Sequence, residues 1–363
     1  MKKIIISVTN DLTTDQRVHK VCTSLSDSGF HVHLIGRKRK NSIPLNRNYK
    51  TSRMNLFFDK GPLFYAEYNI RLFIKLLFAR FDICVSNDLD TLMANYAVHK
   101  IRRKKIVYDS HELFTEVPEL VYRPQIKKIW ETIEYYLVPK IPLKITVCDS
   151  IAAYYKNKYA TSFEVIRNVP VVREQSRGSL PFETNDKHII LYQGAVNMGR
   201  GLELMIETMP LLNNALFVIV GTGDIVKELQ QKVTKLHIEH LVLFLGSMEP
   251  ESLKKLTPLA DIGISLEEDL GLNYRYALPN KIFDYIQAKI PIVCSDLPEM
   301  KKIISKNNIG TVLKNRTTYN LAKTITNMLN HKDKYSNQLS KASEKYTWEK
   351  ESEKLLRIYK SID

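Results

Sequence analysis

Apolar and polar positions alternate along the first half of the chain in a pattern typical of strands followed by helices. Short apolar runs predict buried parallel strands, and stretches with apolar residues every three or four positions predict the helices between them. The predicted strands are 4–8, 31–35, 83–86, 105–108, 145–147 and 164–166, and the predicted helices are 15–28, 89–101, 127–137 and 150–156. This alternation favours a parallel, doubly wound sheet.

The same pattern begins again after residues 171–187, a polar stretch with Gly and Pro that is typical of a linker. The later strands are predicted at 189–192, 216–220, 241–245, 262–265 and 290–294, and the helices at 201–209, 225–236, 251–256, after Pro279, and near 319–329 and 334–345. We therefore predict an α/β protein with two Rossmann-like doubly wound domains, residues 1–170 and 188–345, facing a central cleft. A C-terminal helix over 346–363 is expected to pack back across both domains.

The charge is unevenly distributed. Residues 1–170 contain 28 Lys and Arg against 16 Asp and Glu, whereas residues 171–363 contain 26 against 23. A basic first half indicates an anionic partner, such as a membrane surface or a molecule carrying a polyphosphate. The basic and apolar segments 37–40, 71–81 and 102–105 suggest a face that docks on anionic lipid, or else an ordinary core helix with solvated charges.

Two further features bear on the compartment. No segment reaches about 18 uninterrupted apolar residues, and the apolar start is too short for a signal peptide. The four cysteines are scattered and lie beside apolar residues, at Cys22, Cys84, Cys148 and Cys294. We therefore expect buried free thiols in a cytoplasmic protein that is peripheral on the inner face of the plasma membrane.

The most informative motif covers residues 278–296, LPNKIFDYIQAKIPIVCSD. Pro279 is suited to open a helix, and an apolar strand follows it. Free backbone N–H groups at the helix start, together with Asn280 and Lys281, suit a phosphate, and Asp284 suits a pair of sugar hydroxyls. These residue types predict a site for a nucleotide sugar.

Glycine turns follow three other predicted strands of the second half. Gly194 precedes Arg200 at the start of a helix, where glycine permits close approach of a phosphate and Arg supplies a bidentate donor. Gly221, Gly223 and Gly246 lie in the next two turns. Each of these segments could instead be a tight turn without a ligand, because a lone G-x-G is weak evidence.

Polar segments also end strands of the first half. His111, in Tyr108-Asp-Ser-His-Glu, would be a good hydrogen-bonding group at the carboxyl edge of a sheet, although a structural capping role is the alternative. In the segment 10–18, Thr14 or Asp15 is a candidate helix N-cap. Asp88-Leu-Asp90 has the D-x-D pattern of some metal sites, but capping and helix-dipole complementation explain it better, so we expect no metal.

In order and spacing, these motifs resemble the family 4 glycosyltransferases, which have the GT-B fold. The segment 279–292 resembles P-N-K-L-F-E-Y-M-x-A-G-x-P-V, with Asp284 for Glu, Lys289 for Gly, and Tyr276 where many members have another Glu. The resemblance implies that Asp284 holds the nucleotide ribose and that His111 lies beside the transferred sugar. It also implies donor contacts at Asp15, Gly194, Gly221, Gly223, Gly246 and Asn280, and acceptor-side positions at Asp11, Arg17 and Glu112.

The resemblance implies a retaining, hexosyltransferase-like enzyme that moves a sugar from a UDP- or GDP-linked donor to a glycan or lipid-linked acceptor in surface polysaccharide biosynthesis. Arg200 and Lys281 would stabilise the leaving diphosphate without a metal or other cofactor, so they and His111 are the predicted catalytic residues. The alternatives are a nucleotide-sugar epimerase of the same fold and a non-catalytic glycan-binding protein. The charge also allows a nucleic-acid-binding protein, but no recognised nucleic-acid module is visible.

Overall fold

The computed structural model describes residues 1–117, 120, 123–172 and 178–362. The chain divides into two compact units: unit 1 comprises Met1–Asn168 and Glu351–Asp363, and unit 2 comprises Val169–Lys350. The predicted linker 171–187 falls in unit 2, and its residues 173–177 lie outside the described part of the chain. The C-terminal helix, Trp348–Lys360, begins in unit 2 and continues in unit 1.

Unit 1 contains a parallel sheet in the order β3-β2-β1-β4-β5-β6-β7. Its strands are β1 Lys3–Ser7, β2 His31–Arg37, β3 Lys50–Met54, β4 Ile83–Asn87, β5 Lys105–Ser110, β6 Leu143–Thr146 and β7 Glu164–Val165. The central strand β4 is buried at every position. Such burial is expected for a parallel strand covered on both faces, and it explains why the apolar runs predicted this sheet.

Helices follow the strands β1, β3, β4, β5 and β6 of unit 1. They are α1 Gln16–Asp27, α2 Gly61–Phe78, α3 Leu92–Arg102, α4 Pro124–Leu137 and α5 Asp149–Tyr159. Helix α1 begins where Asp15 accepts a hydrogen bond from the Val18 N–H at 3.0 Å, so Asp15, and not Thr14, is the N-cap. Short 3-10 helices occur at Leu89–Thr91, Phe114–Glu116 and Val138–Lys140.

Helix α2 includes most of the segment 71–81, for which a lipid-facing helix and a core helix were both open. One side of α2 packs into unit 1, because Phe64, Tyr68, Leu72 and Leu76 recur every four residues and are all buried. Arg102, from the third basic segment, donates to the Leu76 carbonyl at 2.8 Å. Arg102 therefore provides a hydrogen-bond donor for a backbone carbonyl in the last turn of α2. The core-helix interpretation is confirmed for the buried side of α2.

Unit 2 contains a second parallel sheet in the order β10-β9-β8-β11-β12-β13. Its strands are β8 His188–Gln193, β9 Ala215–Val220, β10 Val242–Gly246, β11 Ile262–Ser265, β12 Ile292–Ser295 and β13 Gly310–Leu313. In each sheet the strand order reverses between the first and fourth strands, β1 and β4 in unit 1 and β8 and β11 in unit 2. Ligands of such sheets bind outside the carboxyl ends of the strands at this switch point.

The helices of unit 2 are α6 Leu202–Thr208, α7 Val226–Lys235, α8 Pro250–Leu256, α9 Leu272–Arg275, α10 Asn280–Ala288, α11 Pro298–Asn307, α12 Thr318–Asn330 and α13 Ser336–Lys345. The C-terminal helix, which continues into unit 1, is α14 Trp348–Lys360. Short 3-10 helices occur at Met209–Leu211, Glu239–Leu241, Thr257–Leu259 and Lys332–Tyr335. Helix α10 begins after Pro279, as predicted, and ends at Lys289 with a φ of 57°. Lys289 therefore takes the left-handed C-cap conformation that a glycine adopts more readily.

The cysteines and the helix lengths bear on two further predictions. All four cysteines are buried and free, as predicted. Among the described residues, no helix combines the length and the apolar character that crossing a bilayer requires.

Candidate functional site

The centre of the candidate donor site in unit 2 is a buried ion pair. Lys281 Nζ lies 2.7 Å from Glu267 Oε1, and only 7% of Lys281 and none of Glu267 is exposed. The Ser265 hydroxyl donates to the other carboxylate oxygen at 2.7 Å. Because Glu267 follows β11 and Lys281 lies in the first turn of α10, the pair forms beside the switch point of this sheet.

Burial and pairing act in opposite directions on the two charges. Burial favours the neutral carboxyl, but the Lys281 ammonium and the hydrogen bonds to Glu267 hold the pKa of Glu267 below its ordinary value. Burial lowers the pKa of Lys281, and the Glu267 carboxylate opposes that shift. The Glu267 carboxylate therefore favours the charged form of Lys281 in a buried position that would otherwise favour the neutral amine.

Arg200 is the second cation of this cluster. Its Nη1 lies 3.8 Å from Glu267 Oε1, and its guanidinium lies 5.4 Å from the centroid of the Tyr274 ring. Within the described part of the chain, the buried Arg200 Nε has no hydrogen-bond partner. Lys281 also lies over an aromatic ring, 4.2 Å from the centroid of Tyr192. Arg200 therefore keeps donor capacity for an anion.

The backbone that carries Glu267 is fixed by Arg316. Arg316 Nη1 donates to the carbonyls of Leu266 at 3.0 Å and Glu267 at 3.2 Å. Its Nη2 lies 3.6 Å from Glu268. Neither Glu267 nor Arg316 was among the predicted site residues, and the acidic run 267–269 was the only signal in the sequence that pointed to this region.

The glycine turns lie against these charges. Gly194 follows β8 with a φ of 131°, and an added Cβ would lie 3.5 Å from Lys281 Cε. An added Cβ at Gly221 would lie 1.8 Å from the Gly194 carbonyl oxygen, and one at Gly223 would lie 2.2 Å from another carbonyl oxygen. Gly221 N–H also donates to the Gly246 carbonyl at 2.7 Å. Packing between turns accounts for Gly221 and Gly223, and their contact with a donor stays a prediction.

Asp284, the predicted ribose ligand, lies one turn into α10. Its Oδ2 accepts from Gln193 Nε2 at 2.9 Å, and Gln193 Oε1 accepts from the Thr257 hydroxyl at 2.9 Å. Gln193 is the last residue of β8, so this chain of hydrogen bonds holds Asp284 at the carboxyl end of that strand. Asn280 opens α10 and is exposed.

Unit 1 has its own polar cluster at the carboxyl ends of β4 and β5. His111 Nδ1 lies 3.5 Å from Asp88 Oδ2, and its Nε2 lies 3.5 Å from Asp109 Oδ2. The His111 backbone N–H also donates to Asp88 Oδ1 at 2.8 Å. Burial opposes protonation, but the two carboxylates raise the pKa of His111 to about 9. At neutral pH the ring is therefore a cation and a hydrogen-bond donor.

The D-x-D segment contributes to this cluster rather than standing apart from it. Asp88 contacts His111, and Asp90 accepts from the Thr9 hydroxyl at 2.5 Å. Burial and the neighbouring Asp88 raise the pKa of Asp90 to about 7. Across the described residues, no group of three or more His, Cys, Asp or Glu side chains is arranged to hold a metal ion.

The predicted acceptor-side residues occupy different environments. Arg17 is 4% exposed, pairs with Asp109 at 2.9 Å and donates to the Ile166 carbonyl at 2.8 Å. These contacts give Arg17 a structural role inside unit 1. Asp11 accepts from the Thr13 N–H at 3.2 Å in its own loop, and Glu112 is exposed. Acceptor contact at these positions stays a prediction.

Two family models match the chain, one in its first half and one in its second half. The model described as Glycosyltransferase Family 4 matches residues 15–170, and the model described as Glycosyl transferases group 1 matches residues 172–346. The chain belongs to the family 4, group 1 glycosyltransferases. The predicted family is thereby confirmed.

Curated relatives of this glycosyltransferase are distant. An uncharacterized glycosyltransferase of Methanocaldococcus jannaschii is 26% identical over 185 residues, which cover 48% of this chain and 45% of that protein. A chitobiosyldiphosphodolichol beta-mannosyltransferase of Candida glabrata is 20% identical, and the alignment covers 85% of this chain and 79% of that protein. The chain thus spans less than half the length of the archaeal relative.

Solved structures share the fold of this glycosyltransferase. Sucrose-phosphate synthase from Thermosynechococcus elongatus has a TM-score of 0.83 at 14% identity and covers 100% of this chain and 99% of its own. Anabaena HepE in complex with UDP has a TM-score of 0.76 at 14% identity and covers 100% of both chains. Together with the two parallel sheets, these likenesses confirm the predicted α/β GT-B fold.

Asp88 is the residue we expect to control the charge of His111 in this glycosyltransferase. In Asp88→Asn, the amide oxygen can still accept the His111 N–H while one of the two negative charges is lost. We expect the pKa of His111 to fall from about 9 by about 1 unit or more. Titration of the imidazole resonances by NMR, assigned with His111→Gln, measures this shift.

The sign of the associated stability effect follows from the raised pKa. The folded state binds the His111 proton more tightly than the unfolded state, so the stabilisation is complete below the ordinary pKa of about 6.5 and is lost as pH rises through about 9.

The matched control for the NMR titration is Asp27→Asn, at an exposed carboxylate that accepts a hydrogen bond from Asn48, and it should leave the His111 titration unchanged. An unshifted His111 titration in Asp88→Asn would contradict the conclusion that Asp88 raises the pKa of His111.

Proposed function

We propose that this glycosyltransferase moves a sugar from a UDP- or GDP-linked donor to a glycan or lipid-linked acceptor, with retention of anomeric configuration. One observation carries the proposal: Arg200 and Lys281 converge on Glu267 at the switch point of the unit 2 sheet, and Arg200 Nε is buried without a partner among the described residues. A pair of cations beside a glycine turn and a helix start suits a diphosphate.

The proposed chemistry is electrostatic. Negative charge grows on the leaving diphosphate as the glycosidic bond breaks, and fixed cations stabilise that charge without reorganising. Glu267 holds Lys281 ionised before the donor binds, while the guanidinium of Arg200 supplies free donors. Because the chain itself provides two cations, the proposal requires no metal ion or other cofactor.

The nucleotide end of the donor is assigned to Asp284 and the turn at Gly194. The Asp284 carboxylate is the type of group that accepts from a pair of ribose hydroxyls, and Gln193 Nε2 donates to it at 2.9 Å. Anabaena HepE, which shares this fold, has been crystallised in complex with UDP-glucose, and this supports a UDP-sugar as the donor.

We also assign His111 as a cationic hydrogen-bond donor to the transferred sugar. Its position between Asp88 and Asp109 suits a donor, not a general base. The Candida glabrata relative is named for a diphosphodolichol acceptor, which supports a lipid-linked acceptor for this chain. The basic first half suits such a substrate, in surface polysaccharide biosynthesis at the cytoplasmic face of a membrane.

The test is a thermal-stability screen with UDP-, GDP- and dTDP-sugars, followed by product analysis. A donor that binds the folded state raises its Tm by mass action, and at a concentration of about 100 times its Kd the gain is about 2.7 kcal/mol. We expect stabilisation by one nucleoside diphosphate and its sugars but not by the matching nucleoside, because Arg200 and Lys281 bind the diphosphate.

Equal stabilisation by UDP and uridine, or by GDP and guanosine, would contradict the diphosphate site. The reaction is then followed by NMR with the donor alone and with a lipid-diphosphate-linked glycan. Transfer needs the acceptor, and the anomeric coupling of the first product reports retention. An epimerised nucleotide sugar formed without acceptor would favour the epimerase alternative instead.

A further inference from the structure

The outward side of helix α2 and the loop before it expose an apolar surface. We call this surface the apolar strip, and its members with their exposed fractions are Phe57 85%, Phe58 44%, Leu63 59%, Ile70 60%, Ile74 51% and Phe78 81%. The four positions on α2 are separated by seven, four and four residues, so they follow one side of the helix. Helix α2 therefore has one apolar side in the core of unit 1 and another that faces outward.

The loop that carries the two phenylalanines is held by specific contacts. The Phe57 and Phe58 N–H groups donate to the Glu67 carboxylate at 2.9–3.0 Å. Glu67 Oε1 also accepts from Arg71 Nε at 2.7 Å, and the Arg71 guanidinium lies 5.0 Å from the centroid of the Phe57 ring. The two rings are thus presented outward by a loop tied to α2 instead of being folded into the core.

Basic residues border the apolar strip. Residues 37–80 contain eleven Lys and Arg against two acidic residues, Asp59 and Glu67, and Glu67 is already paired with Arg71. The run 38–40 is exposed, and the Lys38 N–H donates to the Met54 carbonyl at 2.8 Å. This hydrogen bond places the basic run beside the end of β3, three residues before Phe57.

We propose that the apolar strip and the run 38–40 form the surface by which unit 1 docks on an anionic bilayer, with Phe57 and Phe58 entering the boundary between headgroups and acyl chains. Aromatic side chains bordered by Lys and Arg match that boundary, where apolar burial and attraction to anionic headgroups add. The inference rests on the proposed function, because a lipid-linked acceptor would bring the enzyme to a membrane.

The charge also selects the bilayer over a second copy of the chain. In a twofold symmetric contact, the same patch would face itself, and the basic borders of two copies would repel one another. An anionic lipid surface instead neutralises those charges, at about 1 kcal/mol for each Lys or Arg near it.

Sedimentation with vesicles, in the absence of nucleotide and acceptor, tests the inference on the full chain. We expect binding to phosphatidylcholine vesicles that contain phosphatidylglycerol and little binding to phosphatidylcholine alone. Phe57→Ser combined with Phe58→Ser should weaken binding about tenfold or more, through lost apolar burial. Lys38→Gln with Arg39→Gln and Lys40→Gln should weaken it about 10²-fold, and only on the anionic vesicles.

The matched control is Tyr319→Ser, at an aromatic of unit 2 that is 69% exposed, and it should bind like the wild type. Wild-type binding by the Phe57/Phe58 variant would overturn the inference, as would equal binding to neutral and anionic vesicles. A wild-type dimer that the same variant converts to a monomer would show that a second copy covers the strip, and would overturn it too. Because stabilisation by nucleotide is measured separately on the same variants, failure here leaves the donor-site proposal standing.

Discussion

Lys281→Met is expected to lower the free energy of unfolding by about 3–5 kcal/mol, because it leaves a buried carboxylate without its partner. Glu267 is completely buried, and its hydrogen-bonded cation is Lys281 at 2.7 Å. The Ser265 hydroxyl carries no charge, and Arg200 lies 3.8 Å away, beyond hydrogen-bonding distance. Loss of activity in a Lys281 variant would therefore combine a folding defect with any catalytic one.

Urea denaturation measures this effect, and a double variant isolates its cause. Lys281→Met combined with Glu267→Gln removes both charges while the amide keeps hydrogen-bonding capacity, so most of the lost stability should return. Lys332→Met breaks a surface pair with Asp261 of the same 2.7 Å length and should cost no more than about 1 kcal/mol. If the single and double variants were equally stable, the buried-charge explanation would be wrong.

Apolar runs located the central strands of both sheets because those strands are buried on both faces. The prediction at 262–265 coincides with β11, Ile262–Ser265. Strand β3, Lys50–Met54, was not predicted, since only Met54 of its five residues is buried and it lies at the sheet edge. An edge strand with polar residues has no apolar run to reveal it.

Helix α2 shows a different limit of sequence patterns. Its buried and outward sides are both apolar, so periodicity could not separate a core helix from a lipid-facing one. The structure shows that one side is buried and the other exposed: Leu72 is fully buried and Phe78 is 81% exposed.

Some residues of the candidate site were predicted from the sequence and others were missed. Lys281, Arg200 and Gly194 were predicted because each follows a strand or opens a helix, and local motifs carry that information. Glu267 was missed because it pairs with Lys281, which is 14 positions away in the sequence. The two residues meet only because β8, β11 and α10 are neighbours in the fold. The burial of Arg17 against Asp109, 92 positions away, was missed for the same reason.

Arg200→Met is expected to lower kcat/KM for sugar transfer about 10²–10³-fold, which is typical when one fixed donor to a developing negative charge is removed. The free energy of unfolding should change by no more than about 1 kcal/mol, because Glu267 keeps Lys281 at 2.7 Å and no buried charge loses its only partner. Methionine preserves much of the apolar contact with Tyr274, over which the guanidinium now lies at 5.4 Å. The comparison therefore isolates the cation.

Steady-state kinetics and urea denaturation of Arg200→Met, Arg200→Lys and Arg275→Met separate the possible roles of the guanidinium. Arg275 forms an exposed pair with Asp269 at 2.8 Å, so its variant should retain wild-type turnover. Lysine restores the charge without the bidentate fork, and we expect it to recover part of the lost rate. If Arg200→Met turned over at the wild-type rate, or lost activity only in proportion to its folded fraction, Arg200 would not stabilise the leaving diphosphate, and the grip on the donor would have to come from Lys281 and the start of α10.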